Sequence, residues 1–516
     1  MGETPQVALP RRSRLASALA RPGVLIASAC ILLVCVYELR PTPGNPPGLH
    51  RDEASIAYNA WTISQHLRDQ DGALAPVFFV SLGDYKSPLF VYLLAGVFRV
   101  TGPSERAALE LGAGVVLAAV LLLGVLAWRR TRSIGVATAT VALGGLTPWL
   151  YELGRTFWET TMFPLGLVAI LLVLDWAYRS NAPTLTRALA SGLVLGALAY
   201  TYAGGRLLAA LFACALVVFA GRGRWRWLLG TWAAFAISLI PLLVYTQRHP
   251  GFATARWNRT TFVTPDMSTF AIVKHALWNY VQDVSLWHWI VSGDPKPYIH
   301  SWCAGQLFAS VVVLAAVGAL VVLRRHRQDR WWLFVVVAAL LGPIPAALTG
   351  DRHHALRLLP IPVFLLVLAI PGLELLFRQI RRDLAIQMIV GGLAFGVAAQ
   401  FFWALHWFDV RGPARTVFFE SDVPALLDQG FGSGNTLYID HDDLAALSHA
   451  WWYAASRHVA PSRVVRLPDG GIPPTGSIVF GRLQACDYVC KELARVDETY
   501  WLAKAVGPEL KAEDEG

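Results

Sequence analysis

About eleven apolar stretches recur along this chain, and short arginine clusters sit between alternate ones. They fall near 24–37, 107–128, 133–147, 160–178, 188–203, 207–220, 228–245, 306–323, 331–348, 356–377 and 385–407. Roughly 20 mostly apolar residues suffice to cross a bilayer as a helix. The stretches are continuous, whereas a membrane β-barrel would alternate apolar and polar residues. The pattern therefore predicts an α-helical polytopic membrane protein with about eleven transmembrane helices. Composition agrees: 55% of residues are hydrophobic and only 15% charged, against about 25% charged for a soluble protein. That charge deficit excludes an ordinary soluble enzyme and a disordered chain.

The net charge is +9, but its placement speaks against nucleic acid. The arginines cluster in short connections, as at Arg129, Arg130 and Arg132, at Arg324, Arg325, Arg327 and Arg330, and at Arg378, Arg381 and Arg382. Alternate crossings put all of these on one side, which the positive-inside rule makes cytoplasmic. The N-terminus is then cytoplasmic, and an odd number of spans leaves the C-terminus outside the inner (cytoplasmic) membrane.

Three outer segments are too long for turns. The first, 38–106, carries a helix signal with Asp52 as N-cap and Ile56, Ala60, Ile63 and Leu67 on one face. Its second apolar run, from Pro88, is too short to span the membrane and reads as re-entrant or interfacial. The second segment, 247–302, is rich in Trp, Tyr and His and suits the headgroup layer. The last turns polar. In it NTLYID and GSIVFG read as strands and DLAALSHAWWYAAS as a helix. The expected organisation is a transmembrane domain over 1–408 and a small extracytoplasmic α/β domain over 409–516, large enough to hold its own core. Cys486 and Cys490 lie in that outer region, where disulfides persist, at a spacing that bridge geometry allows. A disulfide between them is expected.

Four charged sets in the outer segments could carry chemistry. Asp52 and Glu53 fit helix capping, or one of them serves as a general base. Lys86 precedes the helix start Ser87-Pro88, an end where a cation is disfavoured unless an anion binds there; snorkelling to headgroups is the alternative. Glu152, Arg155 and Glu159 share a helix face by spacing, which gives either a salt-bridge trio or an arginine aimed at phosphate. Arg206, and Asp351 to Arg357 with His353 and His354, lie at outer ends of spans, the latter after a Gly/Pro break of the kind found beside cavities. The His pair is also a weak metal candidate. Acids and cations thus gather on the outer side of a bundle able to enclose a lipid tail, which suggests an anionic lipid substrate.

GLHRDEASIAYNAW, GDYKSPLFVYLLA and the stretch Leu153–Glu159 resemble the integral-membrane GT-C glycosyltransferases. The group they resemble is the dolichyl-phosphate-mannose protein mannosyltransferase and aminoarabinose transferase superfamily (glycosyltransferase family 39-like). YTYAGGRLL and RHHALRLLP look like bacterial members. The resemblance implies a GT-C fold and an inverting sugar transfer from a polyprenyl-phosphate donor at the outer membrane face. By it, Asp52 is the base beside Glu53, and Lys86, Arg155, Arg206 and Arg357 meet the donor phosphate, supported by Glu159, His353 and His354. A divalent cation (Mg or Mn) held by Glu53 would be the one cofactor, and a monophosphate leaving group lowers the need for it. The acceptor, whether protein, lipid or polysaccharide, is not specified. The competing readings are a lipid-linked glycan polymerase or ligase, and a lipid-linked sugar flippase or transporter. A transporter would place charge at the bilayer midplane and show repeats, and neither is evident.

Overall fold

The computed structural model describes residues 22–507, apart from 181–183, 222, 302–303, 381–382, 433, 435, 483–488 and 497–498. Helices dominate. In chain order they are α1 (Pro22–Glu38), α2 (Arg51–His66), α3 (Pro88–Thr101), α4 (Glu105–Thr131), α5 (Ile134–Leu146), α6 (Pro148–Leu153) and α7 (Met162–Tyr178). There follow α8 (Leu185–Ala197), α9 (Ala203–Ala215), α10 (Trp225–Ser238), α11 (Ile240–Arg248), α12 (Phe252–Thr260) and α13 (Thr269–Asp283). The chain continues with α14 (Ala309–Arg325), α15 (Arg330–Leu341), α16 (Ile344–Ala347), α17 (Pro360–Gln379), α18 (Leu384–Arg411), α19 (Val423–Gly432) and α20 (Leu444–Ser456).

Each of the eleven apolar stretches is helical. Among the described residues, six helical segments are long and apolar enough to cross a membrane: Glu105–Thr131, Glu159–Tyr178, Trp225–Arg248, Arg330–Ala347, Pro360–Gln379 and Leu384–Arg411. The others are shorter, α1 with 17 residues and α5 with 13 among them. Their packing depends on small residues. A Cβ on Gly318 of α14 would lie 1.8 Å from the carbonyl oxygen of Leu368 in α17, and one on Gly372 would lie 2.6 Å from that of Leu314. Backbone approaches this close need glycine on both helices.

The two ends of the bundle differ. At one end Asp175, wholly buried, is held by Arg129, Arg130 and Arg179, and Arg130 also pairs with Asp329. This is the arginine-rich end. At the other end lie α2, α3, α12 and the C-terminal region.

That C-terminal region has a five-stranded sheet of order β4-β3-β5-β7-β6. Strands β3 (Leu437–Ile439) and β5 (Ile478–Arg482) fall where the sequence predicts them, and so does α20. β4 (Val464–Arg466) and β5 run parallel to β3, whereas β7 (Tyr500–Gly507) is antiparallel to β5 and to β6 (Val489–Val496). Apart from a small cluster of Leu467, Val479 and Ala505, the region shares its core with the helices. Leu437, Ile439, Leu447 and Trp452 share one hydrophobic cluster with Ile56, Ile63, Phe90 and Phe98 of α2 and α3. Trp452 stacks on Phe98. Sequence composition separates the two regions, but the apolar faces of α2 and α20 are buried against each other. Cys490 is disulfide-bonded; the expected partner, Cys486, lies outside the described residues.

Candidate functional site

A hairpin and a helix start bring the first charged residues together. β1 (Phe79–Ser81) pairs antiparallel with β2 (Asp84–Lys86). Leu82 and Gly83 both take positive φ at the turn, the backbone that two-residue hairpins favour. Alternation along β2 then sends Asp84 and Lys86 to one face. Tyr85, on the other face, packs against Tyr245 and Phe252. Lys86 Nζ lies 2.8 Å from Asp52 Oδ1, at the first turn of α2.

Asp52 is not the N-cap of that helix. His50 is: its Nδ1 accepts the Asp52 N–H, and Glu53 accepts the His50 N–H, which completes a capping box. The cap lies two residues earlier than expected because a histidine ring nitrogen replaces a carboxylate. Asp52 is thereby left free to face a cavity, with 34% of its side chain exposed there. Glu53 is fully buried, where it also accepts the Phe157 N–H and ties α2 to the loop after α6. Burial pushes its carboxyl up to about 8, against the pull of the two N–H groups. Glu53 does not line the cavity; of the two places expected for it, the structure shows the capping one. Asp52 behaves oppositely. Burial raises its carboxyl, but Lys86 and then His50 outweigh this and hold it well below the usual carboxylate range.

The cavity is a polar basin of about 520 Å³. Asp52, Asp84 and Lys86 line one wall, Arg256 and Arg259 of α12 another, and Lys296, Asp351, His354 and Arg357 a third. Asp442 and Arg482 of the C-terminal region close the rim. Arg256 holds Asp84 at 2.7 Å, which fastens α12 to the hairpin. The Gly350 N–H donates to the Thr260 carbonyl at 2.8 Å, which fastens α12 to the loop carrying Asp351. Asp351 pairs with Lys296 at 2.8 Å and Arg357 at 3.0 Å.

A second, mainly apolar cavity of about 230 Å³ adjoins the basin, for Arg256, Thr260 and Arg357 line both. Phe163, Leu207, Trp257, Pro345 and Leu348 make up much of its remaining wall. Arg206 also lines it, with its guanidinium over the rings of Phe78 and Phe252. Its buried Nε and Nη2 have no hydrogen-bond partner among the described residues. A buried donor left unpaired is costly, so these N–H groups are available to an anion.

Several sequence expectations divide here. Asp52, Lys86, Arg357 and His354 meet on the basin, and Arg206 on the adjoining cavity. Arg155 lines neither. Its guanidinium donates to the carbonyls of Arg40 and Glu38 and sits over the Tyr151 ring. The helix face assumed for Glu152, Arg155 and Glu159 does not exist, because α6 ends at Leu153. Glu152 instead binds His300 and Ser301. Glu159 takes the Ser87 N–H at the start of α3. An internal carboxyl group thus takes a free N–H at that helix end, where the sequence suggests a bound anion. His353 and His354 also part: His353 stacks on His288 with ring centroids 3.4 Å apart, while His354 faces the basin. Burial, and then Arg357, keep His354 well below its ordinary value, hence neutral.

The described residues hold no group of three or more His, Cys, Asp or Glu side chains suited to a metal. Of the basin carboxylates, Asp52, Asp84 and Asp351 are each engaged by a Lys or Arg of the chain, which leaves Asp442 alone at the rim beside His441. The donor set does not fit a resident divalent ion. The sequence reading missed Arg256, Arg259 and Lys296, having taken their segment for headgroup contacts. The one available signal was Arg256 and Arg259 three apart in a short outer helix.

This helix order, with a polar basin under a small sheet region, defines a multi-pass membrane protein of the GT-C fold, as the motif order implies. Among solved structures, the chain superposes on ArnT from Cupriavidus metallidurans bound to undecaprenyl phosphate with a TM-score of 0.60. The match covers 95% of this chain and 100% of that one at 14% identity. The apo state of the same protein gives a TM-score of 0.58 over 96% and 100%, again at 14% identity. No protein-family profile and no curated protein matches the sequence.

Proposed function

We propose that the protein is an inverting glycosyltransferase that moves a sugar from a polyprenyl-phosphate donor to an acceptor hydroxyl at the outer face of the cytoplasmic membrane. One observation carries this reading: an ionised carboxylate, Asp52, faces a polar basin that shares Arg256 and Arg357 with an apolar cavity. The apolar cavity suits the lipid tail next to its phosphate, the shared arginines suit the phosphate, and the basin suits the sugar and acceptor. The ArnT structure with bound undecaprenyl phosphate supports a lipid-phosphate ligand for this fold.

An acceptor hydroxyl is too weak an acid to ionise alone, so its proton must leave as the new bond forms. In the proposed reaction the acceptor oxygen attacks the anomeric carbon from the side opposite the phosphate. Asp52 takes the proton. The bond from the anomeric carbon to the phosphate oxygen breaks, and polyprenyl phosphate departs with the electron pair. Arg256, Arg357 and Arg206 meet its growing charge, which fixed donors stabilise best in a site shielded from water. No step needs a metal ion.

The test is turnover of purified protein in nanodiscs with radiolabelled polyprenyl-phosphate sugars. Release of polyprenyl phosphate that Asp52→Asn abolishes supports the reading. Movement of intact donor between leaflets without bond cleavage would replace it with a flippase.

A further inference from the structure

We propose that the groove between α2 and α20 is a binding site for an uncharged saccharide chain, and that it holds the remote sugars of a glycan acceptor. The groove measures about 470 Å³, within the range of ligand sites. Tyr58, Trp61, Thr62, Gln65 and His66 of α2 face Trp451 of α20 across it. Tyr58 and Trp451 stack on one another at 5.2 Å. Trp61 is half-buried. The Tyr58 hydroxyl and the indole N–H groups of Trp61 and Trp451 have no hydrogen-bond partner among the described residues.

Three features select the ligand. Aromatic faces give large, rigid apolar area with a polar edge, which matches a sugar ring: C–H groups on its face and hydroxyls round its rim. Thr62, Gln65 and His66 add donors and acceptors for those hydroxyls. No Asp, Glu, Lys or Arg lines the groove, in contrast to the cation-rich basin. A phosphate or an anionic headgroup would find no Lys or Arg among the described residues there. Lipid headgroup anchors pair aromatics with Lys or Arg, and none is present.

The position selects the role. Asp52 of α2, and Leu444 and Ala445 of α20, line the basin. The later turns of the same two helices line the groove. The helices therefore run side by side from one site to the other. Trp61, nine residues beyond Asp52, is about 14 Å along the helix and on its other side, whereas His66, fourteen residues on, comes back to within about 40° of Asp52. A chain whose terminal hydroxyl reaches Asp52 would lay its preceding sugars over the groove. Binding of such remote groups is a normal means of positioning the reacting one. Only the acceptor role rests on the transferase reading; saccharide binding does not.

The experiment titrates maltohexaose, mannohexaose, arabinohexaose and chitohexaose into the full-length protein in phosphatidylcholine nanodiscs, followed by tryptophan fluorescence. At least one should bind saturably. Trp61→Ala and Gln65→Ala should each weaken it, Trp61→Ala by about tenfold, with Trp61→Phe recovering much of the loss. Thermal unfolding checks that the variants are folded. No response of the wild type to any of the four overturns the proposal, as does unchanged binding in both Trp61→Ala and Gln65→Ala. A Trp61 signal that follows the nanodisc lipid and ignores every sugar overturns it in favour of a lipid contact. Binding of polyprenyl phosphate, measured on the same samples, separates the two readings. Sugar bound without lipid phosphate keeps the groove and sinks the transferase; the reverse sinks the groove alone.

Discussion

Lys86 Nζ sits 2.8 Å from Asp52 Oδ1 across the mouth of the basin, and joins the β1–β2 hairpin to the start of α2. His50 caps that helix, so the Asp52 carboxylate has no cap to maintain. Asp52→Asn keeps the size and can still accept a hydrogen bond from Lys86, yet cannot take a proton. Donor turnover should fall by at least ~10²-fold, the low end for losing a general base. The unfolding temperature should stay close to wild type. Full turnover in folded Asp52→Asn would remove Asp52 from the chemistry.

The same pair sets a pH dependence. Lys86 holds the Asp52 carboxyl down against its burial, so wild-type turnover should not fall until the pH is well below the ordinary value of about 3.9. Without the cation, burial acts with less opposition, and the acid limb of Lys86→Met should move to higher pH, above that value. The stability term has the matching sign. A depressed carboxyl stabilises the fold above its unfolded pKa, and the contribution is lost as pH falls through the folded value. Rate profiles of both proteins over the same pH range check the shift; superimposable acid limbs would refute it.

Helix positions and the charge asymmetry were legible because both follow from composition along one dimension. Apolar runs became helices, and Asp175 gathers the arginines at one end, as the clusters implied. The site was legible where side-chain direction follows from local structure, as for Lys86 on a short strand before Ser87-Pro88. It was illegible where direction depends on where a helix stops. Glu152, Arg155 and Glu159 share a face only if α6 continues, and it ends at Leu153. Arg256 was hidden for another reason. Its meaning comes from Asp84, 172 residues away, and no local pattern announces that contact.

At the opposite end, Asp175 has no exposed surface and three arginine partners. Asp175→Asn leaves those arginines with no carboxylate between them, and only Arg130 retains Asp329. Removing one partner of a buried pair costs about 3–5 kcal/mol. The variant should unfold at clearly lower temperature in the same detergent, while turnover per folded molecule stays at the wild-type level, since the basin is at the other end of the bundle. An unchanged unfolding temperature would show that the cluster is solvated.

Arg256 and Arg155 give the sharpest contrast. Both are arginines outside the long apolar helices, Arg155 buried and Arg256 36% exposed, and they face different surroundings. Arg256 lines the basin and the apolar cavity and spends one nitrogen on Asp84. Arg155 spends its guanidinium on the carbonyls of Arg40 and Glu38, away from either cavity. A lipid phosphate at the junction can therefore bond to Arg256 and has no path to Arg155. A charge-assisted hydrogen bond contributes roughly 1.5–3 kcal/mol, so Arg256→Gln should weaken lipid-phosphate binding about tenfold or more. Arg155→Gln should leave that affinity near wild type and instead lower the unfolding temperature, because the buried Glu38 carbonyl and the part-buried Arg40 carbonyl lose their donor. Displacement of a fluorescent polyprenyl phosphate and thermal unfolding, run on both variants in one detergent, read the two effects separately. If Arg155→Gln loses the lipid phosphate and Arg256→Gln does not, the phosphate lies outside the junction of the two cavities.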